Sequence, residues 1–332
     1  MGEISICREI LQSLQGLMTT SFDKVQLLRI EEDEQHQRID NYLMRILKGV
    51  PKGKIYRIVR KGEVRVNKKR VKPEYKLQVN DEIRVPPVRL EEQAPSNVTA
   101  NQVDYLESAI IYEDERLIVL NKPSGVAVHG GSGLNYGVIE GLRILRPNAP
   151  FLELVHRLDR DTSGCLVIAK KRSALRHLHE QLRANQMDKI YHALVAGIWP
   201  AKRHKVKAPL FKNTLQGGER MVQVSEEGKP SETLYRVLNV FTGSTLMEAK
   251  PITGRTHQIR VHCLHAGHPI ACDSKYGDAQ FDKKIKALGC NRLVLHAAQI
   301  RFIHPKTLEK VSFKAPYDEK LKRLLETNTD AL

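Results

Sequence analysis

The chain has 332 residues, with 54 Lys or Arg against 38 Asp or Glu and a formal charge of +16. That length allows two domains, one with a sizeable core, and that charge makes nucleic acid the first partner to consider and an anionic membrane the second. No apolar stretch approaches the roughly 20 residues of a spanning helix, and a start interrupted by Glu3, Arg8 and Glu9 lacks a secretory signal, so a cytoplasmic protein with no membrane role is expected.

Residues 1–30 read as an N-terminal extension, disordered or mis-started. Ile10, Leu11, Leu14 and Leu17 share one helical face without an evident partner, and Met18 is an alternative start. Residues 37–88 form a small basic module. Ile39, Leu43, Ile46 and Leu47 have helical spacing and stop at Gly49; Ile55, Ile58 and Val59 mark a second helix that ends at Gly62. Val64 and Val66 then alternate with Glu63, Arg65 and Asn67 as in a half-buried strand, and Asp81 to Val85 form another, stopped by Pro86-Pro87. From Arg45 to Lys76 thirteen Lys or Arg face only Glu63 and Glu74. Like charges this dense call for a counter-anion, which makes Lys52, Lys54, Arg57, Arg60, Lys61, Arg65, Lys68, Lys69 and Arg70 candidates for phosphate contacts. Residues 89–106 lose both periodicity and basicity and read as a linker.

Residues 107–325 read as a larger, strand-rich body. Ala109 to Tyr112 and Leu117 to Leu120 bracket a hairpin turn at Glu113-Asp114-Glu115. The glycine-rich stretch from His129 to Gly133 lacks the Gly-Lys-Ser ending of a phosphate loop. Ser173 to Asn185 predicts a helix with Leu175, Leu178, His179 and Leu182 inward. Further strands are predicted at Lys189 to Val195, Gln258 to His262 and Arg292 to His296. The expected fold is α+β, a largely antiparallel or mixed sheet with flanking helices. Five scattered cysteines without a Cys-x-x-Cys pair fit a reduced compartment. His257, His262, Cys263, His265, His268 and Cys272 crowd sixteen residues, yet without the paired spacing of a zinc site. No metal is expected.

The most informative run is His156-Arg157-Leu158-Asp159-Arg160-Asp161-Thr162-Ser163-Gly164, which leads into the apolar Cys165 to Ala169. A turn feeding a buried strand is where a rigid scaffold presents a reactive side chain. The flanking arginines favour an ionised Asp159 and suit a polyanionic substrate. A protein kinase would order this motif His-Arg-Asp and need a nucleotide loop. A glycosidase would want two carboxylates at a set separation. Asp159 and Asp161 could supply them, but the basic module suits a neutral sugar poorly.

The nine-residue run resembles the active-site motif of the pseudouridine synthases, in the branch that carries His-Arg-Leu-Asp before Thr-Ser-Gly. Residues 37–88 resemble the S4 RNA-binding domain, and the resemblance as a whole covers about residues 37–315. It implies isomerisation of uridine within RNA, with Asp159 as the essential catalytic residue and no cofactor. Lys189-Ile190-Tyr191-His192-Ala193 matches the second family motif, which implies that Tyr191 stacks on the flipped uracil and joins in proton transfer. Thr253 to His262 matches the third, which implies that Arg255 pairs with the catalytic carboxylate. Arg157 would enter the RNA where the extracted base stood, with His156 sharing that flipping and positioning role, and Leu293 and Leu295 would wall the uracil pocket. Finer features resemble the bacterial branch acting on large-subunit (23S) ribosomal RNA or its assembly intermediates, by a monomeric enzyme. The alternatives are a synthase acting on tRNA and a ribosome-assembly factor that retains the fold for RNA binding alone.

Overall fold

The computed structural model describes residues 24–47, 49–88, 98–130, 136–214 and 220–329, in two compact units that divide after residue 96. The helical face at Ile10 to Leu17, residues 89–97 of the expected linker and Gly131 to Gly133 lie outside the described residues. Residues 98–106 of that linker are corrected to part of the second unit, because Val98, Val103 and Leu106 are buried in its core. Among the described residues no helix is long and apolar enough to cross a membrane.

The N-terminal unit contains strand β1 (Gln26–Arg29), helices α1 (Ile39–Ile46) and α2 (Lys52–Arg60), and strands β2 (Arg65–Val66) and β3 (Glu82–Val85). The strands form one antiparallel sheet in the order β1-β3-β2. Ile39, Leu43, Ile55, Ile58 and Val59 pack on Val64, Val66, Ile83 and Val85, so both helices present their apolar stripe to the sheet. Gly62, at φ 73°, ends α2: its N–H donates to Val59 and that of Glu63 to Ile58, a left-handed cap that favours glycine. Asn67 and Lys68 both have positive φ, and Val66 and Lys69 exchange backbone hydrogen bonds across them, a two-residue hairpin turn. Strand β1 corrects the reading of residues 1–30 as an extension, at least from residue 24 onward. Leu27 is 62% exposed on this strand, an outward apolar residue that spoils the alternation a strand normally shows.

The second unit runs through α3 (Tyr105–Ser108), β4 (Ile110–Glu113), β5 (Leu117–Lys122), α4 (Val138–Leu145), β6 (Glu153–Leu154), β7 (Ser163–Ala169), α5 (Arg172–Arg183), β8 (Asp188–Ala196) and β9 (Lys205–Lys207). A separate hairpin, β10 (Leu210–Thr214) and β11 (Arg220–Val224), precedes β12 (Glu232–Phe241), β13 (Ser244–Pro251), α6 (Gln258–His265), α7 (Ala279–Ala287), β14 (Leu295–Ile303), β15 (Lys310–Lys314) and α8 (Glu319–Thr329). The main sheet has the order β4-β5-β7-β14-β8-β13-β12-β9, with β15 on β14 and β6 on β7. Among the described residues only the β7–β14 pairing is parallel, which makes this the expected mixed α+β sheet.

Strands β5 and β7 are apolar almost throughout because the sheet is covered on both faces. Ile118, Leu120, Leu166 and Ile168 enter one core, Leu117, Val119, Cys165 and Val167 another, as a period of two requires. Gly164 sits where β7 meets β14 at φ 108°, and a Cβ there would lie 2.3 Å from the Ala297 carbonyl oxygen. Residues 258–262, expected as a strand, form the first turns of helix α6. All six residues from Gln258 to Cys263 are buried, so no polar face reveals the helical period. Gln258 and His262 are satisfied by Thr233 and by Ser231 or backbone carbonyls.

Candidate active site

Asp159 lies on the turn before β7, with the Thr162 N–H donating to its carbonyl at 3.2 Å. The turn is pinned from several sides. Lys122, wholly buried at the end of β5, donates to the carbonyls of Pro123, Val126 and Arg160 at 2.7, 2.7 and 2.8 Å. Burial lowers the pKa of Lys122 to about 7, against the pull of Asp161 and Asp159. Ser163 donates to His296 Nδ1 at 2.8 Å, and His296 Nε2 donates to the Ala315 carbonyl at 3.1 Å, which fixes a neutral tautomer. Burial lowers His296 to about 4.

The Asp159 carboxylate faces a cavity of about 300 Å³ whose walls include His156, Arg157, Tyr191, Arg255 and Leu295. Tyr191 comes from β8, and its phenol is pushed up, first by burial and then by the charge of Asp159. Arg157 is exposed, and its guanidinium has no protein partner among the described residues. His156 instead turns inward. Its Nε2 accepts the Val167 N–H at 3.2 Å, its Nδ1 is buried without a partner, and burial lowers it to about 3. A neutral ring tied to β7 holds the turn and offers RNA no charge. Leu293 precedes β14 and is buried outside the cavity lining, so Leu295 alone of that pair faces it.

The expected pairing of Arg255 with Asp159 is corrected by the structure. Arg255 is exposed and sends Nε to the Pro230 carbonyl at 3.3 Å. The cation on the carboxylate is Arg260, whose Nη1 stands 3.5 Å from Asp159 Oδ2. Its Nε and Nη2 make a two-pronged pair with buried Asp273 at 2.7 and 2.6 Å, and its guanidinium lies over the Tyr276 ring at 5.0 Å. Burial works against that charge, but the hydrogen bonds it donates to Asp273, the charge of Asp273 and then that of Asp159 raise its pKa. The helical conformation explains the correction, because α6 turns residue 260 inward while Arg255 stays on the preceding loop. His257, in a left-handed conformation at φ 53°, caps α6 and brings Nε2 to 3.9 Å from Asp159. Its other ring nitrogen meets the Tyr276 hydroxyl at 2.8 Å, and burial lowers its pKa against the pull of Asp159.

Lys189, which opens the second motif, also lines the cavity, a place that its sequence position does not reveal. Burial lowers its pKa, and no acid or carbonyl partners its ammonium among the described residues. In the N-terminal unit, Lys61, Arg65, Lys68 and Arg70 line one hollow together with Arg84. Lys69 and Arg70 line another with Lys72. Lys52, Arg57 and Arg60 are exposed on α2 and Lys54 is half-buried there. Lys52 and Arg60 lie over the Tyr56 ring at 5.6 and 5.7 Å. His257, His262, Cys263, His268 and Cys272 are engaged in internal contacts, such as His268 Nδ1 with the Ala196 carbonyl at 2.8 Å, and His265 is exposed. No group of three or more potential metal ligands gathers among the described residues.

Residues 116–265 match the family model described as RNA pseudouridylate synthase, and residues 37–83 match that of the S4 domain. A "Ribosomal large subunit pseudouridine synthase C" from Pasteurella multocida is 62% identical over 303 residues, 91% of this chain and 93% of that one. The chain belongs to the RNA pseudouridylate synthase family. The protein of the same name from Escherichia coli K12 is 59% identical over 93% of this chain and 98% of its own. The solved structure of "Human RNA Pseudouridylate Synthase Domain Containing 4" is similar at a TM-score of 0.57 and 27% identity, over 69% of this chain and 96% of that one. Pseudouridine synthases break the bond from uracil N1 to ribose C1′ and rejoin the base through C5. The product is an isomer, so neither an oxidant nor a group donor enters the balance.

Proposed function

We propose that this pseudouridine synthase acts on uridines of large-subunit ribosomal RNA, free or in assembly intermediates, in the cytoplasm. The relatives' printed names support the substrate class, and the S4 unit with its basic hollows supports an RNA anchor. The single observation that carries the reading is the Asp159 carboxylate, set between Arg260 and Tyr191 at a cavity large enough for one flipped nucleoside.

Asp159 starts the reaction as an ionised carboxylate, whether by attack at C1′ or at the uracil ring or by removing a sugar proton. Arg260 positions it through a planar fork already fixed by Asp273. Tyr191 offers a ring face to the uracil and a hydroxyl that relays the proton lost from C5, taking it as its own proton passes to the Asp159 carboxylate, while N1 gains a proton to complete the isomer. Arg157 stacks in the gap that base extraction leaves, and Leu295 bounds the base. In the S4 unit, the lysines and arginines from Lys52 to Arg70 contact phosphates, which anchor the RNA without reading its sequence. The test is to map pseudouridines in total RNA from cells with and without this gene. Loss of discrete sites in the large-subunit RNA is expected; loss confined to tRNA, or no loss, would refute the substrate assignment.

A further inference from the structure

Arg255, freed from the catalytic carboxylate, stands between two cavities. Beyond it lies a second hollow of about 400 Å³ that shares Gly254 and Arg255 with the first. Its apolar floor is Leu210 and Val222, both buried, from the β10–β11 hairpin. Phe211 joins the wall, 36% exposed and without a ring partner among the described residues. Lys212 and Lys229 bring cations to the same rim, with Glu227 the one acid there among the described residues.

The partition between the cavities is firmly held. Gln258 Oε1 accepts the Arg255 N–H at 3.0 Å and the Thr253 hydroxyl at 2.7 Å. The Arg255 guanidinium spends Nε on Pro230, and its terminal nitrogens keep their donors unused. The hairpin is tied to the catalytic side as well, because the Val222 N–H donates to the Tyr276 hydroxyl at 3.0 Å. An exposed aromatic ring among cations is a stacking platform for single-stranded nucleic acid. A fixed guanidinium between two base-sized hollows suits the phosphate that joins two nucleotides.

We propose that the second cavity holds the base of a nucleotide flanking the target uridine, stacked on Phe211, with Arg255 on the intervening phosphate. This rests on the first cavity taking the uridine. Lys212 and Lys229 face the outgoing backbone, and Glu227 accepts from a base amino group or a ribose hydroxyl. The site would thus choose its uridine partly by demanding a base, of any identity, at one neighbouring position.

The test uses the full-length protein and a synthetic ribosomal RNA fragment containing a uridine that the wild type isomerises. Companion fragments carry an abasic ribose at each of the two nearest positions on either side. For the wild type, one abasic position should weaken binding roughly 5- to 100-fold, the range expected for one base–aromatic stack. Phe211→Ala should show a comparable loss on intact RNA, and that abasic position should then add less than about twofold, because both changes remove the same stack. Phe211→Trp, which keeps a stacking face, should bind like the wild type. If the two losses multiply at every position, or if Phe211→Ala forms pseudouridine and binds as tightly as the wild type, the subsite is wrong and the uridine cavity stands. If no large-subunit ribosomal RNA fragment contains a uridine that the wild type isomerises, both readings are overturned.

Discussion

Replacing Arg260 should damage both the stability and the chemistry of this enzyme. Its side chain is 5% exposed, and the Asp273 side chain that it grips is fully buried. Arg260→Met leaves that carboxylate without its cation, a loss of about 3–5 kcal/mol for a buried pair broken on one side. Asp273 keeps backbone donors from Lys275 and Tyr276 at 3.0 and 3.1 Å, which places the cost near the lower end. In a unit of this size, that corresponds to a melting temperature lower by on the order of 10 °C. Arg260→Lys keeps the charge, but one ammonium cannot hold Asp273 at two points and still face Asp159, so it should lose about 2 kcal/mol. Arg255→Met, at an exposed residue with one long side-chain hydrogen bond, should cost less than about 1 kcal/mol. Thermal melts together with single-turnover pseudouridine formation decide the matter. Both Arg260 variants should be severely slowed with RNA saturating. The reasoning fails if Arg255→Met melts below Arg260→Met, or if Arg260→Met turns over like the wild type.

Three further outcomes are expected. His296 is neutral when folded, so the unfolded chain takes up the extra proton between pH 6.5 and about 4. Stability is therefore complete above 6.5 and falls with acid by up to about 1.4 kcal/mol per pH unit; His296→Gln should flatten that slope in melts from pH 7 to 4, and an unchanged slope would show that His296 is not held neutral. Lys189→Met removes a half-buried ammonium without a protein partner among the described residues from the cavity wall and should raise the melting temperature slightly while reducing turnover; a lower melting temperature would show that the ammonium has a stabilising role. Replacing Lys61, Arg65, Lys68 and Arg70 together with Gln should flatten the salt dependence of RNA binding by roughly 0.7 to 0.9 in log–log slope for each phosphate no longer neutralised. An unchanged slope in a salt titration would mean that the hollow they line faces something other than RNA.

The catalytic turn was legible because a carboxylate among arginines directly precedes a run apolar at every position, which only a strand covered on both faces tolerates. The S4 helices were legible from Gly49 and Gly62, since each stops an apolar stripe with a left-handed residue. The partner of Asp159 was not. Gln258-Ile259-Arg260-Val261-His262 alternates like a strand, and the polar members of this buried helix are satisfied by neighbours distant in sequence. The bracketing signals were present, a Thr-Gly-Arg-Thr turn before the run and Gly267 after it, and they suit a short helix better than a strand. Leu293 was misplaced by a similar step: strand parity puts it with Leu295, but β14 begins only at Leu295. Nothing local to Lys122 marks it as the buried anchor of the turn, because its three acceptors lie on carbonyls that only the folded loop assembles.

The central claim is that the Asp159 carboxylate carries the chemistry and is not merely a cap for its turn. Asp159→Asn removes the charge and keeps nearly the same shape. Incubated with large-subunit ribosomal RNA, the variant should bind within a small factor of the wild type and form no detectable pseudouridine. Pseudouridine at close to the wild-type rate would contradict the account.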